Sequence, residues 1–233
     1  MRSSLPAPVP PLLPAAASTA LRLLTVCCVL AGVLWDSSAT FAEPRLGPAG
    51  LGTKLVFFTI QSNLLLAAVL LWSLLAGAVH RRQPPPLVVG GATFFVTVTF
   101  AVYNTVLVPG GGPGAVLLLS GRPASDLLHV VAPLLALADW VFGRPHPGFP
   151  VRRSFLWLLY PLAYAGFALA RGQVTNSVVR YPYWFLDVDR IGWGGVGLAI
   201  PVFVVAFGLL AALFALADRF LGRFPRRAAG VLP

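Results

Sequence analysis

The chain has 233 residues, 58% hydrophobic and only 10% charged, with a mean hydropathy of +0.83. A soluble domain carries about 25% charged residues, so a soluble enzyme is excluded and a multi-span membrane protein is indicated. The net charge of +10 does not point to nucleic acid, because the arginines cluster at the ends of apolar runs rather than along one polar face.

Residues 1–17 are rich in proline and alanine and hold one charge, Arg2, which predicts a disordered cytoplasmic tail. The first span is expected at about 19–35; a signal peptide cleaved near Ala42 is the competing reading. Its adjacent Cys27 and Cys28 point about 100° apart on a helix and suit core packing rather than a disulfide or a metal site. Residues 36–53 carry Asp36, Glu43, Pro44 and Pro48, which is loop chemistry.

The second span is expected at about 54–79, closed by His80-Arg81-Arg82 and the prolines Pro84 to Pro86. The third covers about 87–108, with Thr93, Thr97 and Thr99 able to bond back to the helix or across to neighbours. Pro109-Gly-Gly-Gly-Pro-Gly114 breaks the chain, and Ala115 to Leu119 is too short to span. The fourth span, about 125–142, is the most polar, holding Asp126, His129, Pro133 and Asp139. A basic loop over 143–153 leads to a fifth span at about 154–170. A polar-aromatic segment, Arg171 to Gly192, precedes the sixth, at about 194–216 with a kink at Pro201. Residues 221–233 form a basic tail.

Alternating the loops collects Arg2, Arg22, Arg81, Arg82, Arg144, Arg152, Arg153 and the tail residues Arg219, Arg223, Arg226 and Arg227 on one side. Arg45, Lys54, Arg122, Arg171, Arg180 and Arg190 fall on the other, a ratio of eleven to six that places both termini in the cytoplasm. Arginine outnumbers lysine sixteen to one, a bias of GC-rich, actinobacterial genomes, so a bacterial plasma membrane is the expected location.

Polar groups inside a span cost free energy unless something satisfies or uses them. Thr59 lies five residues below Lys54, and His129 five below Ala124, so both sit about 7 Å into helices that run the same way. Asn63 is one turn below Thr59, Ser62 is near that face, and Asn104 reaches a similar level from the third span. Asp126 precedes His129 by three residues, close enough to orient the imidazole. A hydroxyl needs a base to become a nucleophile, and His129 can serve Thr59 in that role. An asparagine amide or a backbone N–H can hold the oxyanion.

Plainer readings stand beside these. Thr59 can be a packing residue, Asn63 and Asn104 interhelical hydrogen-bonding groups, and Asp139 an interfacial or helix-pairing carboxylate. His80 and His146 read as solvated loop residues. Three separated histidines make no metal site, and no cofactor is expected.

Three stretches occur in order: Phe57-Phe-Thr-Ile-Gln-Ser-Asn63, Asp126-Leu-Leu-His-Val-Val-Ala-Pro133 and Tyr181-Pro-Tyr-Trp-Phe-Leu-Asp187. Over about residues 54–190 they resemble the androgen-induced-protein family of membrane hydrolases, which includes the androgen-dependent regulator of tissue factor pathway inhibitor. The likeness is closest to its bacterial branch. Animal members are threonine hydrolases of fatty acid esters of hydroxy fatty acids. The resemblance implies Thr59 as nucleophile, His129 as catalytic histidine, and a counterpart of the family's Tyr-Pro motif at Tyr181-Pro182. Gln61-Ser-Asn63 departs from a more apolar run with one acid, no role carries over to Asp126, and Ser62 is the substitute if the nucleophile differs.

The expectation is therefore an all-α, polytopic membrane protein with six transmembrane helices and both termini cytoplasmic. It would hydrolyse lipid-like esters through Thr59 and His129, with Ser62, Asn63, Asn104, Asp126, Tyr181 and Tyr183 binding or supporting, among membrane lipids as its other partners. The rival reading is a non-enzymatic membrane protein, a small transporter or lipid-binding module. A transporter more often shows internal repeats, and no convincing repeat is seen.

Overall fold

Apolar runs separated by proline, glycine and arginine give a chain that is helical throughout its ordered elements, with no strand among the described residues. A computed structural model describes residues 11–41, 50–108, 121–177 and 179–223. The start of the N-terminal tail, the Ala42–Glu43 region, the glycine-proline run 109–114, the apolar stretch 115–119 and most of the basic tail lie outside these residues.

The helices are α1 (Ala15–Phe41), α2 (Gly50–Lys54), α3 (Phe58–Ala78), α4 (Pro86–Val102), α5 (Pro123–Asp126), α6 (Ala132–Phe142), α7 (Val151–Ser154), α8 (Leu159–Val174) and α9 (Val188–Leu221). A π-helical turn, Tyr103–Leu107, extends α4, and another, Leu127–Val131, joins α5 to α6. α1 is longer than the 19–35 expected. Part of the 36–53 loop is helical, and an ion pair of 2.8 Å ties Lys54 to Asp36.

Five helical stretches are long and apolar enough to cross a membrane: Ala15–Ser38, Phe58–Ala78, Pro86–Leu107, Pro123–Phe142 and Val188–Leu221. The protein is thus an all-α chain with the helices of a multi-pass membrane protein. The expected span at 154–170 is not among them, because α7, a 3₁₀ turn (Phe155–Leu158) and the 16-residue α8 divide that segment.

α4 packs against α3, α6 and α9, and α1 against α3 and α6. One apolar cluster joins Val29, Leu66, Leu70, Val96 and Ala136 of α1, α3, α4 and α6. A second is aromatic: Phe94 lies 5.4 Å from Trp157 and 5.9 Å from Phe214, ring centre to ring centre. The Trp157 indole lies against Gly90 and Gly91 and donates to the Leu87 carbonyl at 3.0 Å. A Cβ on either glycine would meet the ring at 2.9 Å. As expected, Thr93, Thr97 and Thr99 donate back to carbonyls four residues earlier, and Thr99 also meets Ser62 across the α3–α4 seam.

The outer face of α9 shows Leu198, Val202, Val205, Leu209 and Leu213, each 59–71% exposed and spaced three or four apart. Such a stripe is stable only against lipid or another apolar surface. Pro201, where a kink was expected, lies inside α9, and the backbone leaves helical geometry at Gly192, whose φ of 68° and ψ of 169° suit glycine. Cys27 is exposed, against expectation, whereas the half-buried Cys28 packs against the first apolar cluster. His146 is not solvated: it is buried with its Nδ1 2.9 Å from Asp218, whose other oxygen accepts from the Gly148 and Phe149 amides. His80 is exposed, as expected.

Candidate active site

The second span was expected to start near Lys54, but α3 begins at Phe58, so Thr59 occupies its first turn. Three side chains fix the non-helical entry. Tyr164 donates to the Val56 carbonyl at 2.9 Å, Gln61 to the Leu55 carbonyl at 2.7 Å, and Tyr160 donates to Gln61 at 3.0 Å. No side chain caps this helix end. Its first N–H groups therefore have no acceptor within the helix, and they give the end a partial positive charge.

Thr59 Oγ1 lies 3.1 Å from His129 Nε2. His129 sits in the π-helical turn at Leu127–Val131. Its Nδ1 is 2.9 Å from the Ser125 carbonyl, which can only accept, so Nδ1 carries the proton and Nε2 presents its lone pair to Thr59. The Ser125 hydroxyl is 3.2 Å from the same nitrogen and donates to the Tyr103 hydroxyl at 3.2 Å. Tyr103 stacks on the imidazole, with ring centres 4.2 Å apart and planes 21° apart. Ser125, one turn back, therefore holds the ring; Asp126, expected to orient it, is the last residue of the same short helix, α5.

Tyr183 comes from the polar-aromatic segment. Its hydroxyl lies 3.4 Å from both Thr59 Oγ1 and the Thr59 amide nitrogen, which donates to it. Burial pushes the Tyr183 phenol above its ordinary pKa, so it stays protonated at neutral pH. Its ring stacks on Phe185 at 5.2 Å and meets Phe57 edge-on at 6.1 Å.

The remaining candidates divide. Asn63 donates to the Thr59 carbonyl at 2.8 Å and to the Leu128 carbonyl at 3.1 Å, which joins α3 to the π-helical turn. Ser62 is fully buried, 3.1 Å from the Thr59 carbonyl and 3.0 Å from Thr99 Oγ1, on the α4 side away from the imidazole. Asn104 donates back to Phe100 at 2.8 Å and does not line the cavity that Thr59 and His129 share. Tyr181 stands apart: its hydroxyl accepts from Gln173, and its ring lies against Gly172 under the Arg180 guanidinium.

The shared cavity has a volume of about 320 Å³, with Asp36, Lys54, Phe57, Leu107, Pro182 and Tyr183 among its walls. On the other side of Thr59 a narrow crevice of about 60 Å³ is lined by Phe58, Val98, Val102, Pro161 and Phe207. Pro161, Phe185 and Phe207 also line a second crevice of about 60 Å³ between α8 and α9. Sequence reasoning missed Ser125 and Tyr103. The Ser-x-x-x-His spacing was the one signal available for Ser125, and nothing local marked Tyr103. No family model, curated protein or solved structure matches the chain.

Proposed function

We propose that the protein is an intramembrane hydrolase of lipid esters, with Thr59 as nucleophile and His129 as general base, in keeping with the family its motifs resemble. The observation that carries this reading is the 3.1 Å approach of Thr59 Oγ1 to an imidazole nitrogen whose other nitrogen is held by a carbonyl. Thr59 Oγ1 attacks the ester carbonyl carbon while its proton passes to His129 Nε2. The carbonyl oxygen becomes an oxyanion, for which the Tyr183 hydroxyl and the N–H groups of the first turn of α3 that have no carbonyl partner within the helix are the donors at hand. His129 then protonates the leaving alkoxide as the C–O bond breaks. A water deprotonated by His129 hydrolyses the acyl-threonine and restores the hydroxyl.

An ester group in the larger cavity would leave an acyl chain to follow the apolar crevices toward α8 and α9, a route suited to a substrate arriving from the bilayer. The charged pair Asp36–Lys54 would lie beside its polar part. This reading takes the helical stretch 151–174 as a sixth span. Its 20 α-helical and four 3₁₀ residues would reach about 38 Å, more than a bilayer core of about 30 Å. It also keeps both termini cytoplasmic and the site in the outer leaflet of a bacterial plasma membrane.

The test is purified protein given a fluorophosphonate probe and a panel of fatty-acid esters, including esters of hydroxy fatty acids. Labelling at Thr59 and ester turnover are expected, and absence of both removes the enzyme reading. Tyr183→Phe should lower kcat by about 10²-fold with little change in KM, since it deletes one oxyanion donor and keeps the ring contacts. An unchanged kcat would exclude the phenol from the oxyanion site. Val102→Phe should narrow the crevice beside Thr59 and shift preference from long to short acyl chains, read as the ratio of kcat/KM for the two.

A further inference from the structure

The Thr59 site is not the largest cavity among the described residues. At the opposite end of α3, about 21 Å away from Thr59 to Ser73, lies one of about 910 Å³. Its charged lining comes from Arg22, Arg82, Arg144 and Asp218. With Asp139, which Arg22 and Arg144 share, the formal sum is three positive against two negative, or +1. Both carboxylates are already engaged. Asp139 is gripped by Arg22 Nε at 2.9 Å and Arg144 Nε at 2.8 Å, and Asp218 is held by His146 and two backbone amides.

The donors are not all spent. Arg144 is only 7% exposed, and its Nη1 donates to Ser73 Oγ at 3.0 Å, yet its Nη2 is buried with no hydrogen-bond partner. Ser18 Oγ, presented by α1, is likewise buried without one. Both residues line the cavity, and a Cβ built on Gly143 would lie 3.0 Å from Ser18 Oγ and 2.5 Å from the Asp139 oxygen that Arg22 holds. A buried cationic N–H left unpaired is costly, and burial works against the Arg144 charge despite Asp139. An oxyanion supplies the missing acceptor. Leu74, Val89 and Trp140 give the wall an apolar part beside the polar Thr19, Ser73 and Gln83, and Arg82 stands exposed at the rim.

We propose that this cavity binds a phosphate-bearing amphiphile, the headgroup of an anionic phospholipid. Arg144, Ser18 and Arg22 take the phosphate, and the apolar wall takes the glycerol and first acyl carbons. Inorganic phosphate carries the same oxyanion but has nothing to place against Leu74 and Trp140. The site stands independently of the Thr59 reading.

The full-length protein in non-ionic detergent is mixed with phosphatidylglycerol, phosphatidylcholine or inorganic phosphate. Thermal unfolding and native mass spectrometry are the readouts. Phosphatidylglycerol should raise the unfolding temperature and persist as an adduct, and phosphatidylcholine should do neither to the same extent. Gly77→Leu projects into the cavity from α3, where a Cβ has room beside Gln83, and Arg82→Gln removes the rim charge. Each should weaken phosphatidylglycerol binding about tenfold. Neither touches the ion pairs, so unfolding without lipid should be unchanged. An equal response to both lipids, or variants that bind as the parent does, would overturn the site. Stabilisation by inorganic phosphate with no advantage for phosphatidylglycerol would overturn the lipid as its source.

Discussion

Thr59→Ala and His129→Ala are each expected to lower ester turnover by about 10³–10⁴-fold, and the double variant by little more than the worse single one. The two groups make one device, because the imidazole has no proton to take once the hydroxyl is gone. Thr59→Ser should retain measurable turnover and labelling, since the oxygen stays beside Nε2. Ser62→Ala should leave labelling intact, because Ser62 points to the Thr59 carbonyl and Thr99. Labelling that persists in Thr59→Ala and disappears in Ser62→Ala would reverse that assignment. Turnover should also fall as pH drops and the imidazole takes up a proton, because only the neutral ring accepts one from Thr59. The measurement is kcat/KM across pH for the parent, with each variant shown folded by its unfolding temperature.

The pairing of Thr59 with His129 was legible because helical rise converts position along a span into depth. Depth did not show that the two helices are neighbours, and the resemblance, not depth, chose Thr59 over Ser62. What holds the pair was not legible. Ser125 bonds the imidazole from four residues back, an ordinary helical spacing that does not mark it out in the sequence. Tyr183 arrives from a segment 124 residues beyond Thr59, and only the closed fold brings it there. Hydrophobicity misled at Cys27 for a reason peculiar to membranes: the outside of the bundle is as apolar as its inside, so an apolar setting does not imply burial. At 154–170 apolarity alone gave no sign of the 3₁₀ turn that divides the segment. His146 was misread because its neighbours in sequence are basic and soluble-looking, while its partner, Asp218, lies 72 residues away.

Asp139 is where a single substitution should cost the most stability. Sequence reading gave it an interfacial or helix-pairing role, and the structure supplies partners for the second: Arg22 from α1 and Arg144 from the loop after α6, on side chains 14% and 9% exposed around a carboxylate 2% exposed. Arg22 also donates to the Gly143 carbonyl at 2.8 Å, so the carboxylate fixes α1, α6 and the following loop together. Asp139→Ala leaves two largely buried guanidinium groups facing each other with nothing between them. Breaking a buried ion pair from one side costs about 3–5 kcal/mol, and here two cations share the loss. The expected result is a lower unfolding temperature in detergent and poor recovery of folded protein. Asp139→Asn keeps the shape and one acceptor oxygen, so it should fall between the parent and the alanine variant. A triple change of Asp139, Arg22 and Arg144 to apolar residues of similar volume should recover much of the stability, since no buried charge then lacks a partner. If Asp139→Ala unfolds at the parent's temperature, the three residues are not the clamp between α1 and α6. Activity at Thr59, at the other end of α3, should survive in whatever fraction of the alanine variant folds, which separates the clamp from the catalytic pair.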